Sequence, residues 1–157
     1  IRSRTRLLAD ILELHLPAKL LSGLYGKLPT HGDFVARGVS VPVRRALDLW
    51  LSKIAHLSLP DDGLRGQITL GFEMWLVLIV SSRDRPGRRF PLALLCPFAD
   101  DDHAAAENWC DAALVTYRQN ADTNADRLFA ALPPAPAEDG KSQAAEGLWD
   151  QEGRLPL

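Results

Sequence analysis

Apolar residues along this chain fall into two periods. From residue 43, Val43, Leu47, Trp50 and Ile54 follow one another at spacings of four, three and four, with Ala46 and Leu51 beside them. Arg44, Arg45, Asp48 and Ser52 fall on the opposite side, so the pattern predicts an amphipathic helix running to about His56. Ser40 is placed to cap it, with Pro42 in its first turn. A second helical stripe runs through Ala106, Trp109, Cys110, Ala113, Leu114 and Tyr117, and Asp100, Asp101 and Asp102 cluster where its positive dipole end would lie. Thr123 and Asp126 predict a capping box for a short helix through Leu132, which Pro133 and Pro134 end.

The other apolar runs are not helical. Glu73–Val80 is nearly continuous and rich in β-branched residues, which predicts a central strand covered on both faces. Phe90–Cys96 predicts a second strand, and Pro91 near its start suggests an open ladder edge there. The polar loop 81–89 between these two is too short for a helical crossover, so the pair is antiparallel. Gly23–Leu28 reads as a short glycine-edged strand, and Gln67–Leu70 as another. Pro29–Asp33 and Leu59–Gly63 read as loops. Residues 133–145 are Pro/Ala/polar and read as a mobile linker or loop, after which Gly147-Leu148-Trp149 is an apolar island able to dock back. The expected architecture is an α/β layered sandwich with a mixed or antiparallel central sheet covered by helices.

Length and composition narrow the class. At 157 residues, 46% hydrophobic and 24% charged, the chain is one globular domain able to bury a core without disulfide or metal. No run approaches eighteen apolar residues, so membrane insertion is not expected. A formal net charge of −2 argues against nucleic-acid binding by the whole chain. The charge is unevenly spread: residues 1–45 hold eight Lys/Arg against three Asp/Glu, and residues 96–157 hold four against twelve. That dipole bears on how partners are steered. The first residue is Ile, and residues 1–22 read either as an amphipathic helix packed on the domain or as an N-terminal extension foreign to it, with 23–157 as the single domain. With no leader pattern and no disulfide pattern, the expected compartment is the cytoplasm.

Candidate chemistry is sparse. Gly26-Lys27-Leu28-Pro29 lacks the hydroxyl residue and the run of backbone N–H groups of a phosphate loop. His31 and Asp33 could supply a general base and its orienting carboxylate, but one residue apart they suit a turn better. Arg83, Arg85, Arg88 and Arg89 with Asp84 form a basic loop, read as a solvated hairpin tip or as a site for an anion or an acidic partner. Trp50, Trp75 and Trp109 are expected in the core, with Trp149 the most exposed of the four tryptophans. Cys96 and Cys110 fit no metal spacing and read as buried small hydrophobes. No catalytic residue, metal site or cofactor is assigned.

Two longer patterns carry a resemblance. Gly23-Leu24-Tyr25-Gly26-Lys27-Leu28-Pro29-Thr30-His31-Gly32-Asp33-Phe34-Val35-x-Arg37, with Leu49-Trp50-Leu51 after it, resembles the opening signature of the TagF (ImpM) family associated with type VI secretion. Ser81-x-x-Asp84-Arg85-x-Gly87-Arg88-x-Phe90-Pro91-Leu92 is similar to that family's second signature, and Leu148-Trp149 to its tail. The stretch between Trp50 and Trp75 is shorter than the family pattern, reduced to Leu64–Phe72. The resemblance implies an α/β sandwich and a cytoplasmic, non-enzymatic accessory protein. It implies post-translational repression of secretion-system assembly or firing, through contact with an FHA-domain scaffold protein. Lys27, His31, Asp33, Arg37, Arg85 and Arg88 are the candidate partner-contact or loop-bracing residues, with an Asp33 pair to Arg85 or Arg88 expected to join the two loops. The alternative is a small enzyme or phosphate-ligand-binding domain using Lys27, His31, Asp33 and Arg88.

Overall fold

In the computed structural model, residues 21–152 are described. Chain order is β1 (Gly23–Gly26), β2 (Val35–Arg37), α1 (Val41–Ile54), β3 (Leu64–Leu70), β4 (Glu73–Val80), β5 (Leu92–Pro97), α2 (His103–Asn120), α3 (Ala125–Ala131) and β6 (Gly147–Trp149). The six strands form one sheet in the order β2-β1-β5-β4-β3-β6, antiparallel at every pairing. One helix lies on one face and two on the other, so the fold is the expected α/β sandwich with an antiparallel sheet. The expectation for residues 1–20 lies outside the described residues. Ser22, just before the expected boundary, already donates its hydroxyl to the Pro133 carbonyl at 2.5 Å.

The apolar runs at the sheet centre explain the layering. On β4, Leu76, Leu78 and Val80 face α2 and α3, while Trp75, Val77 and Ile79 face α1. On β5, Leu92, Leu94 and Cys96 alternate in the same way with Ala93 and Leu95. A strand with no polar face needs cover on both sides, and strand alternation sends its side chains into two separate cores. In α2 the buried residues are Ala106, Trp109, Cys110, Ala113 and Leu114. The Cys96 and Cys110 thiols are free and buried, and burial raises both pKa values, that of Cys110 to about 12.

Caps place the helices. Ser40 accepts from the Val43 amide, and Asp102 accepts from Ala105. The short third helix is capped by Asn124, whose extended backbone lets its side chain accept from the Arg127 amide. The expected cap, Thr123, instead donates its hydroxyl to the Asn120 carbonyl and closes the end of α2.

Other expectations are corrected. Pro91 marks no open edge: it precedes β5, which pairs with β1 on one side and β4 on the other. The short β2 was not foreseen, because three residues carry too little pattern to detect. The third strand is longer than expected, starting at Leu64. Trp50 is only partly buried, because Val43, Leu47 and Leu51 point at the sheet and Trp50 lies on the flank. Residues 133–145 are held rather than trailing. Pro133 accepts from the Trp109 indole, Asp139 donates to the Asp100 carboxylate, and Ala144 donates to the Ala99 carbonyl. Trp149 is buried, because β6 pairs with β3 and its indole donates to Glu107 at 2.7 Å.

The same Glu107 and Asp111 receive the guanidinium of Arg65, which has no solvent exposure, at 3.0 and 2.8 Å. Burial works against the Arg65 charge, but the two carboxylates outweigh it and raise its pKa. No helix among the described residues is long and apolar enough to cross a membrane.

A buried carboxylate joins the two signature loops

Sheet pairing brings the two signatures together. Gly26 at the end of β1 pairs with Leu92 at the start of β5, and Leu92 also pairs with Val80 at the end of β4. The loop after β1 and the loop between β4 and β5 therefore leave the sheet at the same end. Gly26 has φ of 144°, and a Cβ there would collide with the Pro91 carbonyl, so the close approach of the loops requires glycine.

Asp84 is the centre of this junction and has no solvent exposure. Its Oδ1 accepts from the amides of Gly87 and Arg88 at 3.0 and 2.7 Å. Its Oδ2 accepts from Lys27 Nζ at 3.1 Å and from Arg88 Nε at 2.7 Å. The sequence Asp84-Arg85-Pro86-Gly87-Arg88 folds locally this way because Gly87 adopts φ of 102° and turns the chain back over the carboxylate. Burial works against ionisation of Asp84, but the Arg88 amide and the Lys27 and Arg88 side chains prevail, holding its pKa at about 2. It is thus held as an anion at neutral pH.

The remaining contacts lock one loop to the other. The Arg85 amide donates to the His31 carbonyl at 2.7 Å, and its guanidinium donates to the Thr30 carbonyl at 2.6 Å. Arg88 Nη2 donates to the Gly32 carbonyl at 3.2 Å, and the Ser82 hydroxyl to the Lys27 carbonyl at 2.5 Å. His31 Nε2 accepts from the Ala125 amide at 3.1 Å, which ties the first loop to the start of α3. Arg37 Nε meets Asp126 at 2.7 Å on the surface.

The loops meet as expected, but through a different acid. Asp33 makes no ion pair among the described residues: its Oδ1 accepts from the next amide, that of Phe34. The arginines expected to reach it bind carbonyls of its loop instead. Lys27, expected to be available to a partner, is buried, with its ammonium 4.9 Å from the centroid of the Phe34 ring. Of Lys27, His31, Asp33 and Arg88, the first and last meet at Asp84 Oδ2, while His31 accepts from the Ala125 amide and Asp33 from the Phe34 amide. No group of three or more His, Cys, Asp or Glu among the described residues is arranged to hold a metal. Sequence reasoning singled out Asp84 only as part of a basic loop. The usable signal was the Asp-x-x-Gly-Arg spacing, which puts two amides and a guanidinium within reach of one carboxylate.

Residues 23–66 match the family model of the TagF N-terminal domain, described as type VI secretion system-associated. The crystal structure of PA0076 from Pseudomonas aeruginosa PAO1 is similar, with 27% sequence identity and a TM-score of 0.56. The similarity covers 74% of this chain and 63% of the PA0076 chain. No curated protein matches the chain in sequence. The matched span holds the first loop, with Lys27, His31, Asp33 and Arg37, while Asp84 and the second loop lie beyond it. Over residues 23–66 the chain is thus similar to the N-terminal domain of TagF, a type VI secretion system-associated family.

Proposed function

We propose that this protein is a non-enzymatic accessory factor that represses assembly or firing of a type VI secretion system after translation. It does so in the cytoplasm, by contact with the system's FHA-domain scaffold protein. The observation that carries this reading is where the signature side chains are directed. Lys27, Arg85 and Arg88 bond to Asp84 or to backbone carbonyls of the opposite loop, and His31 bonds to the start of α3. Side chains used in this way set the shape of a surface and are not free to attack or protonate a substrate. A preshaped surface serves protein contact, where ordering costs count against affinity.

The test is made in cells carrying the secretion system. Raised levels of the protein should lower system-dependent secretion, and the FHA-domain scaffold protein should co-purify with it. Unchanged secretion together with no co-purification would overturn the proposal.

A further inference from the structure

The face of the sandwich that carries α1 ends in an exposed ring held on a rigid support. Phe34 keeps 42% of its surface exposed. Its ring stacks on Tyr25, with centroids 5.7 Å apart and 7° between planes, and meets Phe90 edge-on at 5.0 Å. Tyr25 is fixed in turn by its hydroxyl, which donates to Asp48 on α1 at 2.7 Å. An exposed aromatic that is already immobilised loses little entropy when a partner covers it, which suits it to anchor an interface.

Two arginines stand beside that ring's support, Tyr25. Arg44 and Arg45 are exposed on α1, and their side chains make no hydrogen bond or ion pair with described residues. With Tyr25, Asp48 and Leu49 they line a depression of about 370 Å³, and Leu49 is 67% exposed. The carboxylate lining it, Asp48, accepts from the Tyr25 hydroxyl and keeps its charge, so two guanidinium groups stand against one carboxylate. An apolar ring and ridge beside this excess of positive charge complement an apolar residue flanked by Asp or Glu. A nucleic-acid strand fits less well, since stacking successive bases needs several exposed rings and here Tyr25 is buried beneath Phe34.

We propose that this face binds an acidic segment of another protein. Carboxylates of the segment meet Arg44 and Arg45, and an apolar side chain packs on Phe34 and Leu49. The inference rests on the reading of this chain as a contact protein and adds the surface and the partner's chemistry.

Two measurements test it. A photo-crosslinking amino acid at position 49 of the full chain, in cells carrying the secretion system, should capture another protein through a peptide rich in Asp and Glu. The capture should be lost in Arg44→Glu/Arg45→Glu. Crosslinks only to a second copy, to residues 1–20 of this chain or to nucleic acid would overturn the proposal, as would none at all. Purified FHA-domain scaffold protein should bind the Arg44→Glu/Arg45→Glu protein at least tenfold more weakly than wild type at equal salt. Equal binding would overturn the proposal, and Arg44→Gln/Arg45→Gln gives the same reading if the reversal does not fold. If the scaffold protein fails to bind wild type while the crosslink names a different acidic partner, the surface stands and the scaffold reading of the function falls.

Discussion

Asp84 shows how one buried side chain can organise two loops. Its four donors come from Lys27, Gly87 and Arg88, so losing the carboxylate strands the buried Lys27 ammonium and frees both loops at once. Asp84→Asn is expected to lower the melting temperature at neutral pH by several degrees. Its pKa is depressed in the fold, so its contribution is complete above the ordinary carboxylate value of 3.8. The contribution is lost as pH falls from there through about 2. The gap in melting temperature between wild type and Asp84→Asn should therefore close across that window. A gap that stays constant down to pH 2 would show that the asparagine variant fails for reasons of shape and not of charge. By contrast Arg37 and Asp126 form an exposed pair, with 35% and 79% of their side chains accessible. Such a pair contributes about 0–1 kcal/mol, so Arg37→Ala should leave melting almost unchanged.

The third and sixth strands form the most vulnerable part of the sheet. The last strand has three residues and owes its position to two things: its ladder with Arg65–Gln67, and the Glu107 carboxylate that holds both Arg65 and the Trp149 indole. Gly66 faces this strand closely. A Cβ there would come within 2.5 Å of Leu148 Cδ2 and 2.9 Å of the Gly147 carbonyl oxygen. A flexible side chain can yield but a ladder carbonyl cannot, so Gly66→Ala should cost about 1–3 kcal/mol and loosen the last strand. Chemical denaturation would measure the loss, and an increase in aggregation would report the bared edge of the third strand. An unaltered transition would mean that the last strand adds little to the sheet. Gly147-Leu148-Trp149 was recognisable in the sequence as an apolar segment. Its burial was not, because it depends on an acid on the second helix 42 positions before Trp149.

The two cores share one sheet, so they are expected to melt together. Val77 and Ile79 pack toward the first helix while Leu76 and Leu78, on the same strand, pack toward the second. Loss of either layer exposes an apolar face of the shared strands, which couples the layers into one cooperative unit. Trp50 reports on one face and Trp109 on the other. In each variant that retains only one of these two tryptophans, the fluorescence transition in denaturant should coincide with the same variant's circular-dichroism transition. A fluorescence midpoint separated from the circular-dichroism midpoint within either variant would refute the coupling. Trp109 is 3% exposed, and its loss to Ala should cost about 3–5 kcal/mol, more than the loss of the partly buried Trp50. The uneven charge read from the chain belongs to this level too. The basic N-terminal third supplies Arg44 and Arg45 on one face, and the acidic C-terminal part supplies Glu107, Asp111 and Asp126 on the helices of the other.

Local rules were enough for the helices, the central strands and the antiparallel step between them. Periodicity, caps and loop length each act within a few residues, so they can be read along the chain. The meeting of the two signature loops was also foreseeable, because antiparallel neighbours bring such loops to one end of a sheet. Which acid would join them was not. Asp33 and Asp84 look alike as loop carboxylates, and only folding showed that Asp33 is satisfied by its own neighbour's amide while Asp84 is enclosed by Lys27 and Arg88. The same holds for Arg65 with Glu107 and Asp111, and for His31 with Ala125, pairs separated by 42, 46 and 94 positions. Contacts between residues so far apart depend on the order of strands in the sheet and the side on which each helix packs, and no local pattern carries that information.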